Sequence, residues 1–333
     1  MPVSLAQAKL NAQTDLDVAV IDEFRKESVI LDNLVFDDAV NPSGGGGTPV
    51  YGYRRLTTQP TADFRALNTE YAPTEVQTAH VTVELAALGG SFEVDRVIGR
   101  VGPAASGAVA INLNQKIKAT RTKFQDSVIT GDVAVDANGF DGVDKALTGS
   151  STEIGTTTVK DWTTLTTDDG AHAALDELDA LLSALDGTPT MLIANARAMG
   201  RIRSIARRSG QYVREPAADL VGANGRPIVR ESLGGILFAD PGDKAGSATP
   251  IIPIVTRTIG GVSTPGLTDI YAVRVGLDGL HGVSMAGAPL VQTWLPDFSS
   301  AKAVKTGEVE MGPVAVALKA TKAAAVLRNV KVQ

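Results

Sequence analysis

The strongest periodic pattern along the chain lies in residues 104–130 and predicts an amphipathic helix. Its apolar side chains recur at steps of three and four residues: Val109, Leu113, Ile117, Phe124 and Val128. Lysine, asparagine and glutamine side chains fall on the opposite face. At its standard rise per residue, such a helix is a rod of roughly 40 Å. Gly131 follows directly and predicts the C-terminal end of the helix.

A second pattern, the alternation of polar and apolar residues, runs through residues 48–99 and predicts extended strands. The segments VYGYRRL and HVTVELAALGGSFEVDRVIG carry this alternation, and a polar stretch marked by Pro60 and Pro73 separates them. We therefore expect a long antiparallel hairpin with few apolar residues to bury. A two-stranded ribbon is only marginally stable alone, so this hairpin needs another surface to contact.

Residues 161–240 alternate between helical and strand patterns, which is typical of an α/β or α+β module. A helix is predicted from Asp168 or Asp169 to Asp186, and the segment TMLIA predicts a buried strand. Asn195 is placed to cap a second helix, ARAMGRIRSIARR, which ends at Gly210. RPIVRESLGGILFAD predicts two short strands around a Gly-Gly turn. Further strands are expected in YAVRVGLDGLHGVSM, VKTGEVEM, VAVALKATKAAAVL and NVKVQ.

Residues 1–40 form an acidic and partly helical segment, with three basic and eight acidic side chains. Its apolar residues would make one stripe, which needs something else to lie against. Residues 299–333 are a basic counterpart, with six basic and two acidic side chains. The run SGGGG (Ser43–Gly47) favours a flexible linker over a phosphate cradle, because no Lys-Ser/Thr pair follows its last Gly.

Charge is segregated between the two helices predicted in residues 161–240. The first carries only acids and the second only arginines: Asp168, Asp169, Asp176, Glu177, Asp179 and Asp186 against Arg197, Arg201, Arg203, Arg207 and Arg208. Two interpretations remain open, namely two solvated faces of one module or complementary surfaces that meet across a subunit contact. The arginines could also neutralise phosphates, but no aromatic residue is interleaved for base stacking, so such contact would not depend on base sequence.

The composition limits the possible classes of function. Hydrophobic residues make up 44% of the 333 residues, which is enough for a sizeable core. The absence of cysteine excludes disulfides, thiolate metal sites and cysteine nucleophiles. The net charge of −6 gives no overall attraction to nucleic acid. No signal peptide and no apolar run of ~20 residues is visible, so we expect a soluble protein made in the cytoplasm.

The Gly- and Asp-rich stretch GDVAVDANGFDGVDKALTG (131–149) does not match a known ion or phosphate loop. Its acidic residues have the wrong spacing for an EF-hand, and the glutamate that closes such a loop is missing. No P-loop glycines precede Lys145. We therefore predict a turn that ends the long helix and starts a short one.

A catalytic site is equally incomplete. HGVSMAG approaches the nucleophile elbow around Ser284, but Gly287 and Pro289 oppose the helix that must follow it. The histidines are far apart, and none has a second histidine or a carboxylate at metal-ligand spacing: His80, His172 and His281. We predict no enzyme, no cofactor and no metal. A serine hydrolase that uses Ser284 is the best enzyme alternative.

The order of the parts is more informative than any single motif. An acidic arm and a long ribbon precede EVDRVIGR and the long helix, and GDVAVDANGFDGVDKAL, the α/β module and the C-terminal strands follow. This order resembles that of the major capsid proteins of tailed bacteriophages, which have the Hong Kong 97-type fold. In that family a Gly/Asp-rich turn of the form found at 131–147 follows the long helix, which is called the spine. The resemblance covers nearly the whole chain.

The resemblance implies an α+β fold with five segments. These are an N-terminal arm (1–47), an extended β-hairpin loop (48–92), a peripheral domain with the spine helix at 104–130 (93–147), an axial α/β domain (148–287) and C-terminal strands of the peripheral domain (288–333). The hairpin loop would lie over a neighbouring subunit, and the arm would grip another. Many relatives carry a scaffolding domain before the arm, and 40 residues leave no room for one, so we expect a separate scaffolding protein.

The function that the resemblance implies is self-assembly into the icosahedral head shell that encloses phage DNA. The expected partners are other copies in hexamers and pentamers, a scaffolding protein, a portal, a possible decoration or cement protein and non-specifically bound double-stranded DNA, with no membrane. The expected location is the virion capsid, assembled in the bacterial host cytoplasm. The alternatives are an encapsulin-type compartment that carries cargo enzymes and a surface or tail structural protein rich in β-structure.

Two groups of residues are candidates for subunit contacts. They are Arg54, Arg55, Leu56, Phe64, Arg65 and Tyr71 of the hairpin loop, and Arg203 and Arg207 of the arginine helix. Some relatives join a loop lysine to an asparagine through an isopeptide bond. The sequence between Lys26 and Lys116 contains no lysine, so we expect a shell without that crosslink.

Overall fold

The computed structural model describes residues 29–40, 48–98, 103–164, 168–208, 212–221, 227–233, 235–287 and 289–333. The predicted linker at 43–47 and most of the predicted arm lie outside these residues. No helix within the described ranges is long and apolar enough to cross a membrane.

Five α-helices are present in the described part of the chain, and the predicted long helix is among them. They are α1 (Val29–Asn33), α2 (Pro103–Thr130), α3 (Val143–Leu147), α4 (Asp168–Ser183) and α5 (Ala196–Arg208). Phe124 and Val128 of α2 are fully buried, as their spacing predicts, whereas Val109, Leu113 and Ile117 are only half-buried. Ile30 and Leu34 lie in the same core as Phe124, so residues 29–40 pack on their own chain.

Sixteen strands and a short 3-10 helix (Thr321–Ala323) complete the described structure, which confirms the α+β class. The strands are β1 (Phe36–Val40), β2 (Val50–Thr58), β3 (Gln77–Glu84), β4 (Ala86–Asp95), β5 (Glu153–Ile154), β6 (Lys160–Asp161), β7 (Met191–Ile193), β8 (Tyr212–Val221), β9 (Pro227–Leu233), β10 (Ile236–Ala239), β11 (Val255–Ile259), β12 (Val262–Val273), β13 (Leu280–Met285), β14 (Val291–Trp294), β15 (Val304–Leu318) and β16 (Ala324–Lys331). They form sheets of five, nine and two strands.

The five-stranded sheet is built around β15. The first part of β15 pairs with β4 on one side and β14 on the other, and its last part pairs with β13. β1 adds to β13 in parallel, with Phe36 opposite Gly282. A Cβ at Gly282 would lie 2.6 Å from the Phe36 ring, so the strand needs glycine there. α2 packs against β4 and β15, and its buried aromatic residue Phe124 joins Met311 and Val314 in one core.

The nine-stranded sheet has the order β5-β16-β12-β7-β10-β9-β8, with β6 also paired to β16 and β11 to β12. α4 and α5 cover one face through a core that includes Leu178, Leu181, Met199 and Ile202. Two strands belong to sheets on the other side of the predicted domain boundary at 287/288. β13, which precedes the boundary, joins the five-stranded sheet, and β16, which follows it, joins the nine-stranded sheet.

The Gly/Asp-rich stretch is a turn between α2 and α3, as the sequence predicts. The Gly131 N–H donates to the Ser127 carbonyl at 3.0 Å, and the Gly142 N–H donates to the Gly131 carbonyl at 2.8 Å. A Cβ at Gly131 would lie 2.3 Å from the Phe140 carbonyl oxygen, so only glycine fits this crossing. The Asp132 carboxylate pairs with Lys145 at 3.1 Å and serves the turn itself.

A buried ionic network joins this turn to the nine-stranded sheet. Asp269 on β12, which is 4% exposed, accepts two hydrogen bonds from Arg257 at 2.6 and 2.7 Å. Arg328 on β16 also contacts Asp269 at 3.1 Å and donates to Glu153 at 2.8 Å. Arg328 further pairs with Asp144 of α3. The network therefore ties five elements of the chain together, namely α3, β5, β11, β12 and β16.

The arginines determine the charge state of Asp269. Burial alone would raise the pKa of this carboxyl, but the hydrogen bonds and positive charges of Arg257 and Arg328 hold the pKa below its usual value. A carboxylate with a lowered folded-state pKa stabilises the fold above its unfolded pKa of about 3.9. This contribution is lost as the pH falls through the lower, folded-state pKa.

Replacing Asp269 by Asn should lower the free energy of unfolding by about 3 kcal/mol, because two arginines lose the buried carboxylate that neutralises them. Denaturant unfolding of the unassembled chain measures this change. Below about pH 4 the wild-type chain should lose its advantage, so the two stabilities should converge. The control is Asp278→Asn, whose carboxylate pairs with Arg274 but is 76% exposed, and whose stability should change little. Equal stability of the two variants at neutral pH would show that the network contributes nothing.

Candidate functional site

The predicted hairpin is present and forms a sheet of its own. β2 pairs antiparallel with β3 from Val50 opposite Glu84 to Thr58 opposite Gln77. Residues 59–76 connect the two strands and contain no helix or strand. The hairpin therefore has a paired stem and an irregular tip, which carry six of the eight predicted contact residues.

The base of the stem is attached to the end of β15. The Tyr53 hydroxyl donates to the Leu318 carbonyl at 2.9 Å. Arg55 donates from Nε to the Lys319 carbonyl at 3.0 Å and from Nη2 to the Leu318 carbonyl at 2.6 Å. The guanidinium of Arg55, a predicted subunit contact, thus holds its own chain, whereas Arg54 next to it is exposed.

The tip exposes apolar side chains that the described residues do not cover. Phe64 is 108% exposed, and Leu67, Tyr71 and Val76 are also exposed, as is Leu56 near the outer end of the stem. The Arg65 guanidinium lies over the Tyr71 ring at 5.3 Å and donates to the Thr69 carbonyl at 3.1 Å. These contacts shape the tip, and its large apolar side chains remain open to solvent.

The arm strand β1, the hairpin stem and β15 meet around Tyr51. Its hydroxyl donates to the Asp37 carboxylate at 2.9 Å, and Lys319 lies over its ring at 5.5 Å. The ring of His281, which is fully buried, packs edge-on to Tyr51 at 5.7 Å. Burial lowers the pKa of His281, with a further contribution from the charge of Lys319. Sequence analysis missed this junction, because its members come from four distant segments.

The geometry around Ser284 does not support the hydrolase alternative. Ser284 and His281 are three residues apart on β13, so their side chains point to opposite faces of the sheet. Ser284 is paired within the strand, opposite Val314, instead of standing on a strand-to-helix turn. Among the described residues, no group of three or more His, Asp or Glu side chains is placed to hold a metal ion.

The arginine helix α5 forms as predicted and packs against α4. The Asn195 side chain caps it by accepting from the Ala198 N–H at 2.9 Å. Arg201 donates to the Val332 carbonyl at 3.1 Å and so contacts its own chain. Arg207 is exposed and donates to the Arg203 carbonyl at 3.2 Å, and Arg203 is half-buried. Asp176 and Asp179 of α4 are exposed, so both charged surfaces are accessible.

Comparisons with known proteins give matches only at the level of structure. No protein-family model matches the chain, and no curated protein matches its sequence. The capsid of a native GTA particle is matched with a TM-score of 0.58 at 13% identity, over 96% of this chain and 94% of that chain. A structure from Gordonia phage Cozz is matched with a TM-score of 0.58 at 12% identity, over 99% and 96%.

A holo encapsulin complex from Synechococcus elongatus PCC 7942 is also similar, with a TM-score of 0.62 at 15% identity, over 100% of this chain and 98% of that chain. Each match spans nearly the full length of both chains. The chain has the Hong Kong 97-type fold of tailed-bacteriophage capsid proteins, as its resemblance predicted.

Proposed function

We propose that the protein is a major capsid protein that assembles into the icosahedral head shell of a tailed phage and encloses its double-stranded DNA. The observation that carries this proposal is the hairpin, which has a stem fixed to its own chain and an apolar tip that the described residues leave uncovered. In a shell, a second copy of the chain would supply the surface against which the tip packs. The Hong Kong 97-type fold, which the chain shares with phage capsids, supports the same conclusion.

The proposed division into domains is based on the two large sheets. In this proposal α2, β4 and β13–β15 make the peripheral domain, and the nine-stranded sheet with α4 and α5 makes the axial domain. β16 then belongs to the axial domain, because it pairs with β12. The predicted arm, the hairpin tip and the charged helices are the contacts between copies in hexamers and pentamers.

The further partners in this proposal are a separate scaffolding protein, a portal and a possible decoration protein, with the virion capsid as the location. Electron microscopy of particles made with candidate head proteins tests the whole proposal. Closed shells that package DNA are the expected result. Uniform closed shells made by the chain alone, filled with a protein cargo, would instead identify an encapsulin-type compartment, which has the same fold.

Replacing Phe64 and Tyr71 together by Ser should reduce assembly strongly and leave the fold of the unassembled chain intact. Each large apolar side chain that a contact buries contributes about 1.5–3 kcal/mol, and the loss recurs at every copy in the shell. Particle yield by electron microscopy and thermal unfolding of the unassembled chain measure the two effects. Val135→Ser is the control, because Val135 is also exposed but lies in the turn after α2. Normal particles from the double variant would contradict the tip contact.

Replacing Arg203 and Arg207 by Glu should also disturb assembly more than folding. An exposed ion pair contributes ~0–1 kcal/mol within a fold, but a repulsive contact recurs at each interface of a shell. If α5 meets the acidic face of α4 in a neighbour, adding Asp176→Arg and Asp179→Arg to the same chain should restore assembly. Unchanged particles from the Glu variant would show that α5 faces solvent.

The shell should contain no isopeptide bond between the hairpin loop and the peripheral domain. The chain has no lysine between Lys26 and Lys116, and a guanidinium stays protonated and is a poor nucleophile. Asn329, a possible acceptor, is buried, and its side-chain amide already donates to the Gly155 and Thr156 carbonyls at 2.9 and 3.1 Å. Particles boiled in detergent and reductant should run as one band near 34.5 kDa. A ladder with a branched peptide from residues 48–92 would contradict this expectation.

A further inference from the structure

A groove lined by lysines lies between α2 and the loop that follows β10. Its volume is about 270 Å³. α2 contributes one wall, and residues 243–246 contribute the other. The charged side chains that line it are three lysines and one carboxylate: Lys116, Lys118, Lys244 and Asp243. The groove is therefore locally cationic, although the whole chain is acidic.

The loop wall is held in place against α2. Gln125, which is buried in α2, donates to the Pro241 carbonyl, and Lys244 pairs with Asp126 at 3.5 Å. Within the loop, the Lys244 N–H donates to the Thr249 carbonyl at 2.8 Å, and the Ile251 N–H donates to the Gly242 carbonyl at 2.9 Å. Because both walls are fixed by these bonds, the groove is preformed and a ligand need not order it.

Lys116 makes no ion pair with the described residues, whereas Lys244 is paired with Asp126. The end of its side chain runs along the backbone of β4, with Nζ 3.5 Å from the position of a Cβ at Gly90. The absence of a side chain at Gly90 leaves room for this path. Gln115, the residue before Lys116 on the same wall, adds a side-chain amide that can donate hydrogen bonds.

We infer that this groove binds phosphate groups. A phosphate oxygen accepts hydrogen bonds from lysine ammonium and amide groups alike, and lysine acts as a point charge for phosphate. The volume is that of about nine water molecules in the liquid, so a single phosphate fits with space for the group that carries it. The ligand is either free phosphate or the backbone of duplex DNA, and the second source rests on the proposed function.

Binding to the unassembled full-length chain tests the inference without any need for particles. The probes are a short fluorescent DNA duplex at low salt and inorganic phosphate at matched ionic strength. Lys116→Gln and the double variant Lys116→Gln/Lys244→Gln remove charge from the groove. Lys302→Gln/Lys322→Gln removes two exposed lysines elsewhere and is the matched control.

We expect the double variant to bind duplex DNA at least ten-fold more weakly than the control pair. The slope of log affinity against log salt should fall by roughly 1.8, because two phosphate contacts are lost at about 0.9 each. Lys116→Gln alone should give about half of this change. It leaves the pair between Lys244 and Asp126 intact, so an effect in this variant cannot come from loosening the loop.

The two sources of phosphate give different results. Inorganic phosphate that raises the melting temperature of the wild-type chain but not of Lys116→Gln, and that competes with the duplex, identifies a site for a single phosphate. Duplex binding that depends on Lys116 and is insensitive to phosphate identifies the DNA backbone. Equal losses in the groove variants and the control pair, or no saturable binding of either probe, would overturn the inference. If the chain assembles into shells but binds neither probe, the inference about the groove is wrong and the proposed function stands. If the chain binds a probe through Lys116 but does not assemble, the proposed function is wrong and the inference stands.

Discussion

The pairing of β15 is the constraint on which most of the structure depends. This one strand of 15 residues bonds to β4, β13 and β14, and α2 packs across it. Its last residues also supply the carbonyls that hold the hairpin stem. Only the short 3-10 helix separates β15 from β16, so this part of the chain connects the five-stranded sheet with the nine-stranded sheet. The position of the hairpin relative to the core therefore follows from where β15 ends.

The hairpin separates the roles of anchoring and recognition along a single ribbon. Polar side chains near its base donate hydrogen bonds to backbone carbonyls. These bonds fix the direction of the ribbon and require little apolar contact. The apolar side chains are concentrated at the other end, in residues that contribute nothing to the core of their own chain. A folded monomer does not gain from this arrangement. The exposed apolar side chains contribute free energy only when another surface covers the tip. The geometry therefore favours a protein that assembles.

Charge in this protein acts locally. The net charge of −6 describes the chain as a whole, but the charged side chains form small clusters that differ in sign and in burial. Asp269 is buried and binds Arg257 and Arg328, and Arg328 also pairs with Asp144, so this cluster holds the turn after α2 against the nine-stranded sheet. The lysine groove lies on the opposite side of α2 from the buried aromatic residues and is open to solvent. Composition alone therefore does not describe how any one surface interacts with an anion.

The sequence by itself determined the elements whose cause is local. The steps of three and four residues placed α2, Asn195 marked the start of α5, and alternation marked the hairpin, because each depends on neighbours within a few residues. The close crossing at Gly131 also left a local sign, a glycine where the helix must stop. Together with the order of the elements, these patterns carried the family resemblance from which the fold class was predicted.

Only the tertiary structure decided which distant groups meet. Arg55 finds its acceptors 263 and 264 residues further along the chain, and Arg328 reaches Asp144 across 184 residues. Packing also decides that β13 joins the five-stranded sheet and β16 the nine-stranded sheet, on either side of the predicted domain boundary. It likewise buries His281 against Tyr51. No local period records these contacts, because hydrogen-bonding groups and strand edges pair with whatever the fold brings beside them.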